Sequence, residues 1–225
     1  RWISVPLVVT SHTWENAKNE QSHQDPTIGE ALLGEMSDTS RVLFPVDANS
    51  AVAALRSVYN GRGQVGCLIV SKRDMPHRFD AEAADRFATD GAAHVQGEAE
   101  GAELQIVAIG AYQLEEALKA AYRLRTHGRH VLVTALSEPG RFRMPRDPIE
   151  AAFTASDENL APLFPANMPR LIVSHTRPEP MLGLLRRLDS GPETTAARGY
   201  ISRGGTLDVS GMLFANRCSW AHLID

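Results

Sequence analysis

A chain of 225 residues, 43% hydrophobic and 22% charged, has an ordinary globular composition and room for one large domain or two small ones. Its formal net charge of -4 gives no basic footprint, which argues against a nucleic-acid partner. No apolar run approaches the roughly 20 residues of a membrane span, and no signal-peptide pattern precedes the first apolar run. The expectation is a cytoplasmic protein.

Strand-like apolar runs alternate with helical patterns along the chain. Val5 to Val9, Val42 to Val46 and Val65 to Val70 read as strands, and Thr27 to Met36 and Ala51 to Tyr59 carry apolar residues at helical spacing. Near-continuous apolar strands separated by helices predict a parallel sheet covered on both faces. Cys67 falls inside the third run, where a buried, reduced thiol is the plain reading. A polar stretch follows, with a helix predicted over Asp80 to Ala88 and a flexible, charged linker over Gly97 to Gly101. The pattern then restarts with a strand at Leu104 to Ile109. The next helix carries Leu114, Ala117, Leu118, Ala121 and Leu124 on one face, with Gly128 as its terminator. Further strands are predicted over His130 to Leu136 and Arg170 to Val173, and a helix over Met181 to Leu188. The chain divides into two α/β units, 1–80 and 81–225.

The chemistry-bearing segment lies between the first strand and the first helix. Ser11-His12-Thr13-Trp14-Glu15-Asn16 runs into Asn19-Glu20-Gln21-Ser22-His23-Gln24-Asp25-Pro26, a polar loop at a strand end. Such loops are where α/β enzymes place catalytic groups. Each residue also has a structural reading. His12 and Trp14 suit loop packing, Asp25 suits a helix cap, and Asp47 with Asn49 suits a turn and cap before the second helix. The Gly110-Ala111 turn precedes a helix and reads as structural. His94, His127, His130 and His175 show no metal-ligand spacing.

The ordered set Ser11, His12, Trp14, Asn19, Ser22, His23, Gln24, Asp25 and Pro26 resembles the loop of the thiamine diphosphate-dependent phosphoketolases, and more distantly the Thr-His-Gln-Pro loop of transketolases. The resemblance extends to Phe44-Pro45-Val46-Asp47-Ala48-Asn49, to Ile69-Val70-Ser71-Lys72, to Arg198-Gly199-Tyr200 and to the segment from Asn216 to Asp225. It implies the C-terminal part of a pyrimidine-binding domain in residues 1–80, followed by a transketolase-like C-terminal α/β domain. The reaction it implies splits a ketose phosphate and hands a two-carbon unit to inorganic phosphate, giving acetyl phosphate and an aldose phosphate. On that resemblance His23 is assigned substrate orientation and proton transfer, Asn19 a hydrogen bond to substrate, and Lys72 the donor phosphate.

Departures from the family pattern bear on substrate choice. Glu20 and Gln21 stand where the family has Gly-Phe or Asp-Phe, Thr27 replaces a Gly, and Lys18 stands where many members carry His. The Gly-Asp-Gly motif with which the family holds the diphosphate and Mg²⁺ does not occur. The expectation is therefore that this chain alone binds no thiamine diphosphate and is inactive. Catalysis would need a missing N-terminal region or a complementary subunit, in an enzyme expected to be a homo-oligomer acting on a sugar phosphate. The alternatives are a transketolase-like enzyme of altered specificity and a non-catalytic dimerisation or regulatory portion.

Overall fold

The computed structural model describes residues 2–11, 13–15 and 25–225. Strands β1 (Val5–Thr10), β2 (Ser40–Leu43) and β3 (Val65–Val70) form a parallel sheet in the order β1-β3-β2, with Val5 opposite Val65 and Val42 opposite Cys67. Right-handed crossovers need a helix between parallel strands. The chain supplies α1 (Thr27–Gly34) and α2 (Ala48–Asn60). Helix α2 begins where the sequence allows, at a capping box in which Asp47 accepts from the Ser50 amide at 2.8 Å and Ser50 Oγ accepts from the Asp47 amide at 3.0 Å. Helix α3 (Ala81–Asp90) then packs on α2 through Ala84 and Ala88 against Ala53.

The second sheet contains β4 (Ala92–Gln96), β5 (Leu104–Ile109), β6 (Val131–Leu136), β7 (Arg170–Ser174) and β8 (Thr195–Arg198), in the order β4-β6-β5-β7-β8. All pairs in it are parallel except β4 with β6. Helix α4 (Ala111–Thr126) follows β5 and carries Arg123 and Arg125 in its last turn, where the helix dipole favours cations. Short helices α5 (Pro148–Ala151), α6 (Asp157–Leu160), α7 (Pro178–Leu184), α8 (Val209–Ala215) and α9 (Trp220–Leu223) complete the elements.

Several sequence expectations need correction. Ala92 to Gln96 is a strand and not part of a polar connection: His94 faces out of the sheet, bonding Thr134 Oγ1 and the Pro162 carbonyl at 3.0 Å each, so its polarity concealed an edge strand. The predicted flexible linker is built in at its start. Gly97 has φ +82°, and a Cβ there would lie 2.4 Å from the Val131 carbonyl oxygen. The helix expected over Met181 to Leu188 begins earlier, at Pro178, because prolines at 178 and 180 suit a first turn that needs no amide donors. It breaks at Leu185 into a 3-10 turn. The first sheet is not covered on both sides throughout, since Val5 and Val8 of β1 are more than half exposed beside Trp2 and Ile3.

The two sheets share one core. Leu33, Val42, Phe44, Cys67 and Ile69 pack with Val107, Ile109, Leu136, Phe142 and Ile172. Charged groups tie the same seam: Arg41 forks onto Glu138 through two 2.8 Å bonds, and Arg177 reaches Glu30 at 2.6 Å. Burial pushes the Cys67 thiol up to about 11 and the Cys218 thiol up to about 12, as expected of inert core cysteines.

Candidate active site

In open α/β sheets, ligands sit beyond the carboxyl ends of the strands. Here β1 and β3 run side by side and end together. The Ser11 amide continues the ladder by donating to the Val70 carbonyl at 2.6 Å. The polar loop that leaves β1 therefore starts against the Ser71-Lys72-Arg73 turn that leaves β3.

Glu15 joins the two turns. It is 9% exposed, and its Oε1 accepts from the Lys72 amide at 2.9 Å, from Ser71 Oγ at 3.1 Å and from the Tyr112 hydroxyl at 2.5 Å. Tyr112 comes from the first turn of α4, so this one carboxylate binds both sheets at the mouth of the site. Burial raises the Tyr112 phenol well above its ordinary range and the Glu15 contact raises it further, which keeps the hydroxyl protonated and donating. Glu15 Oε2 is buried without a partner among the described residues. Ser71 Oγ also accepts from the Arg73 amide at 2.9 Å, which fixes the turn that carries Lys72.

Beyond this turn lies a cleft of about 320 Å³, lined among others by Asp47, Lys72, Arg73, Asp74, His77 and Ala111, the first residue of α4. The Lys72 and Arg73 side chains are exposed there. Asp47 is committed elsewhere. Burial works to raise its pKa, but bonds from Ser50 and from the Arg78 and Phe79 amides, at 2.8, 2.7 and 3.0 Å, hold it below the usual carboxylate range. Asn49 donates to the Phe79 carbonyl at 2.8 Å. Asp47 is thus the cap of α2, whereas Asn49 lies inside the first turn of that helix and bonds a distant carbonyl in place of a turn. Two free cations, a histidine and a helix N-terminus make a donor set suited to a hydroxylated, phosphate-bearing anion. Among the described residues no group of three His, Cys, Asp or Glu side chains is placed to hold a metal ion.

The crevice at the strand ends of the second sheet is occupied by protein. The chain order of the second sheet reverses between β5 and β7, the position where such sheets usually hold ligands. Trp14 fills it. The indole is fully buried, donates from Nε1 to the His175 carbonyl at 3.0 Å, and meets the Tyr200 ring edge-on at 6.1 Å. Asp25 accepts from the Thr27 amide at 2.8 Å and pairs with Arg177 at 2.5 Å, anchoring the far end of the loop to α1 and to the second sheet.

Of the three site residues expected from the sequence, Lys72 lines this cleft. Asn19 and His23 lie outside the described residues, as do His12, Lys18, Glu20 and Gln21. Sequence reasoning missed Glu15, Arg73, His77 and Tyr112 as neighbours of the cleft. Glu15 lay within the singled-out loop, but its partners Ser71 and Tyr112 are 56 and 97 residues away.

Known proteins resemble this arrangement at two levels. The family model for D-xylulose 5-phosphate/D-fructose 6-phosphate phosphoketolase matches residues 1–61, the segment that contains the loop. A probable phosphoketolase of Nitrosomonas europaea is 25% identical over 229 residues, covering 99% of this chain and 28% of its own length. The chain resembles the phosphoketolases. It spans just over a quarter of the length of the curated relatives it matches. In fold it is transketolase-like: a transketolase variant from Pichia stipitis superposes with a TM-score of 0.70 at 15% identity, over 97% of this chain and 29% of that one. A split-gene transketolase described as an inactive β4 tetramer superposes with a TM-score of 0.63 at 16% identity, over 98% of this chain and 64% of that one. The mixed α/β architecture with parallel sheets agrees with the fold expected from the sequence.

Proposed function

We propose that this chain is the C-terminal part of a phosphoketolase that cleaves ketose phosphates with inorganic phosphate to acetyl phosphate and an aldose phosphate. The observation that supports the reading is the Glu15 carboxylate on the Lys72 amide at 2.9 Å, which brings the start of the phosphoketolase-like loop onto the strand end bearing the lysine assigned to the donor phosphate. In this reading Lys72 holds the donor phosphate as a point charge, His23 orients the sugar and moves its hydroxyl protons, and Asn19 bonds a substrate oxygen. Residues 1–80 are the end of a pyrimidine-binding domain and 81–225 the C-terminal domain, in a cytoplasmic enzyme.

Phosphoketolases depend in general on thiamine diphosphate. The cleft does not fit a diphosphate held through its metal: Lys72 and Arg73 are cations that repel a metal ion, the oxygens of Asp47 are taken by backbone amides, and among the described residues no group of three His, Cys, Asp or Glu side chains is placed to hold one. The cofactor and Mg²⁺ are therefore assigned to an N-terminal region or a complementary subunit, and no step on this chain runs through them. The apolar side chains exposed along β1 support packing of such a partner, or of a second copy, at that edge.

The test is an acetyl phosphate assay with xylulose 5-phosphate or fructose 6-phosphate and inorganic phosphate, using this chain together with a phosphoketolase N-terminal region. Acetyl phosphate formation that requires both parts supports the reading. Two-carbon transfer to an aldose phosphate without acetyl phosphate replaces it with the transketolase-like alternative, and a stable complex with neither activity replaces it with an assembly role.

A further inference from the structure

Helix α4 carries a second, separate groove of about 440 Å³ on its outer face, closed by β4 and α9. Leu118 and Tyr122, and Lys119 and Arg123, are each four residues apart, so both pairs lie along one side of the helix. Val95 and Leu118 give the groove an apolar wall, and the Tyr122 ring is 59% exposed beside them.

The Arg123 guanidinium lies 3.6 Å from the centroid of the Trp220 ring. Stacking fixes its plane and leaves its N–H edge free. No hydrogen bond or ion pair engages that edge among the described residues. The neighbouring carboxylates are already committed. Glu116 takes Lys119 Nζ and the Trp220 amide at 2.7 Å each, and Glu115 pairs with Arg78 at 2.6 Å. Lys119 is 57% exposed and keeps further donors for a ligand. A held, unpaired fork donor beside an exposed aromatic ring calls for an anion with a flat apolar body. A sugar phosphate fits poorly, because its hydroxyls would face Val95, Leu118 and Tyr122.

We propose that this groove binds a nucleoside phosphate, with the base against Tyr122, Val95 and Leu118 and the phosphate on Arg123 and Lys119. The site is independent of the phosphoketolase reading. Its ligand is identified by chemistry, so the probe is ADP, with adenosine and pyrophosphate as the base-only and phosphate-only arms.

Titration calorimetry on the 225-residue chain is expected to show ADP binding at least about tenfold tighter than either arm, with Arg123→Gln weakening it about tenfold or more. Tyr122→Ser should weaken ADP and leave pyrophosphate unchanged. Lys72→Ala should leave ADP binding untouched, which separates this groove from the cleft. Quenching of Trp220 fluorescence by ADP, absent in Trp220→Phe, locates the ligand. The proposal is overturned if ADP does not bind below about 1 mM, if pyrophosphate binds as well as ADP, or if Arg123→Gln chains with an unchanged urea midpoint bind ADP normally.

Discussion

Replacing Glu150 by Gln tests what holds the C-terminal end of α1 against the second half of the chain. Glu150 is fully buried and accepts from the Ser37 amide at 2.9 Å, from the Arg146 amide at 2.7 Å and from the Arg146 guanidinium at 2.8 and 3.0 Å, with Arg143 at 3.5 Å. Arg146 in turn donates to the Gly34 and Glu35 carbonyls at 2.9 and 2.6 Å, at the end of the helix that follows the loop. The Arg146 hydrogen bonds are the largest cause holding the Glu150 carboxyl down, from an ordinary 4.5 to about 2, against the opposing effect of burial. A lowering of that size corresponds to about 3 kcal/mol of stability at neutral pH. Because Arg146 is 39% exposed, solvent screening brings the expected figure to about 2 kcal/mol. The sign follows from the lowered value: the contribution is complete above the unfolded pKa near 4.5 and disappears as pH falls through about 2. Urea unfolding of the wild type and Glu150→Gln should differ by about 2 kcal/mol at pH 7, with the gap closing as pH falls toward 2. A gap under about 0.5 kcal/mol at pH 7, or one that does not change with pH, refutes the argument.

Lys72→Ala, measured in an enzyme completed by its N-terminal part, should raise KM for ketose phosphates with little change in kcat, through loss of a charge-assisted contact of about 1.5–3 kcal/mol. His23→Ala should instead lower kcat by roughly 10²–10⁴-fold, and steady-state kinetics that show near-normal turnover would remove that residue from proton transfer. Calorimetry on residues 1–225 alone should detect negligible thiamine diphosphate and Mg²⁺ binding; micromolar affinity would place the cofactor on this chain after all. Gly97→Ala should cost about 2 kcal/mol in urea unfolding, because it combines a positive φ with a Cβ 2.4 Å from the Val131 carbonyl, and a neutral result would mean that this corner yields easily.

What could be read from the sequence was local. The runs at Val65 to Val70 and Leu104 to Ile109 gave β3 and β5 to the residue, since buried parallel strands carry apolar side chains on both faces. The cap at Asp47 was legible because Ser50 follows it by three residues, whereas the Arg78 and Phe79 amides that take its other oxygen come from more than 30 residues away. Edge strand β4 escaped because one exposed edge relaxes the demand for apolar side chains, and the bulge between His94 and Gln96 breaks the alternation. Arg73 and His77 gave no signal at all, since exposed basic residues in a loop are ordinary.

The position of Trp14 explains why the two sheets have different tasks. Two α/β sheets give two sets of strand ends, and each is by construction a place for a ligand. The indole takes the β5–β7 crevice of the second sheet and bonds the His175 carbonyl, so that crevice serves as an anchor for the loop leaving β1. One residue further on, Glu15 turns back to the Lys72 amide and the Tyr112 hydroxyl. Trp14 and Glu15 thus use the second sheet's binding position to hold the first sheet's loop, and among the described residues the cleft beside Lys72 is an open strand-end position. Substitutions at Trp14 should therefore act on the site through loop placement, although the side chain lies in the core and lines no part of the cleft.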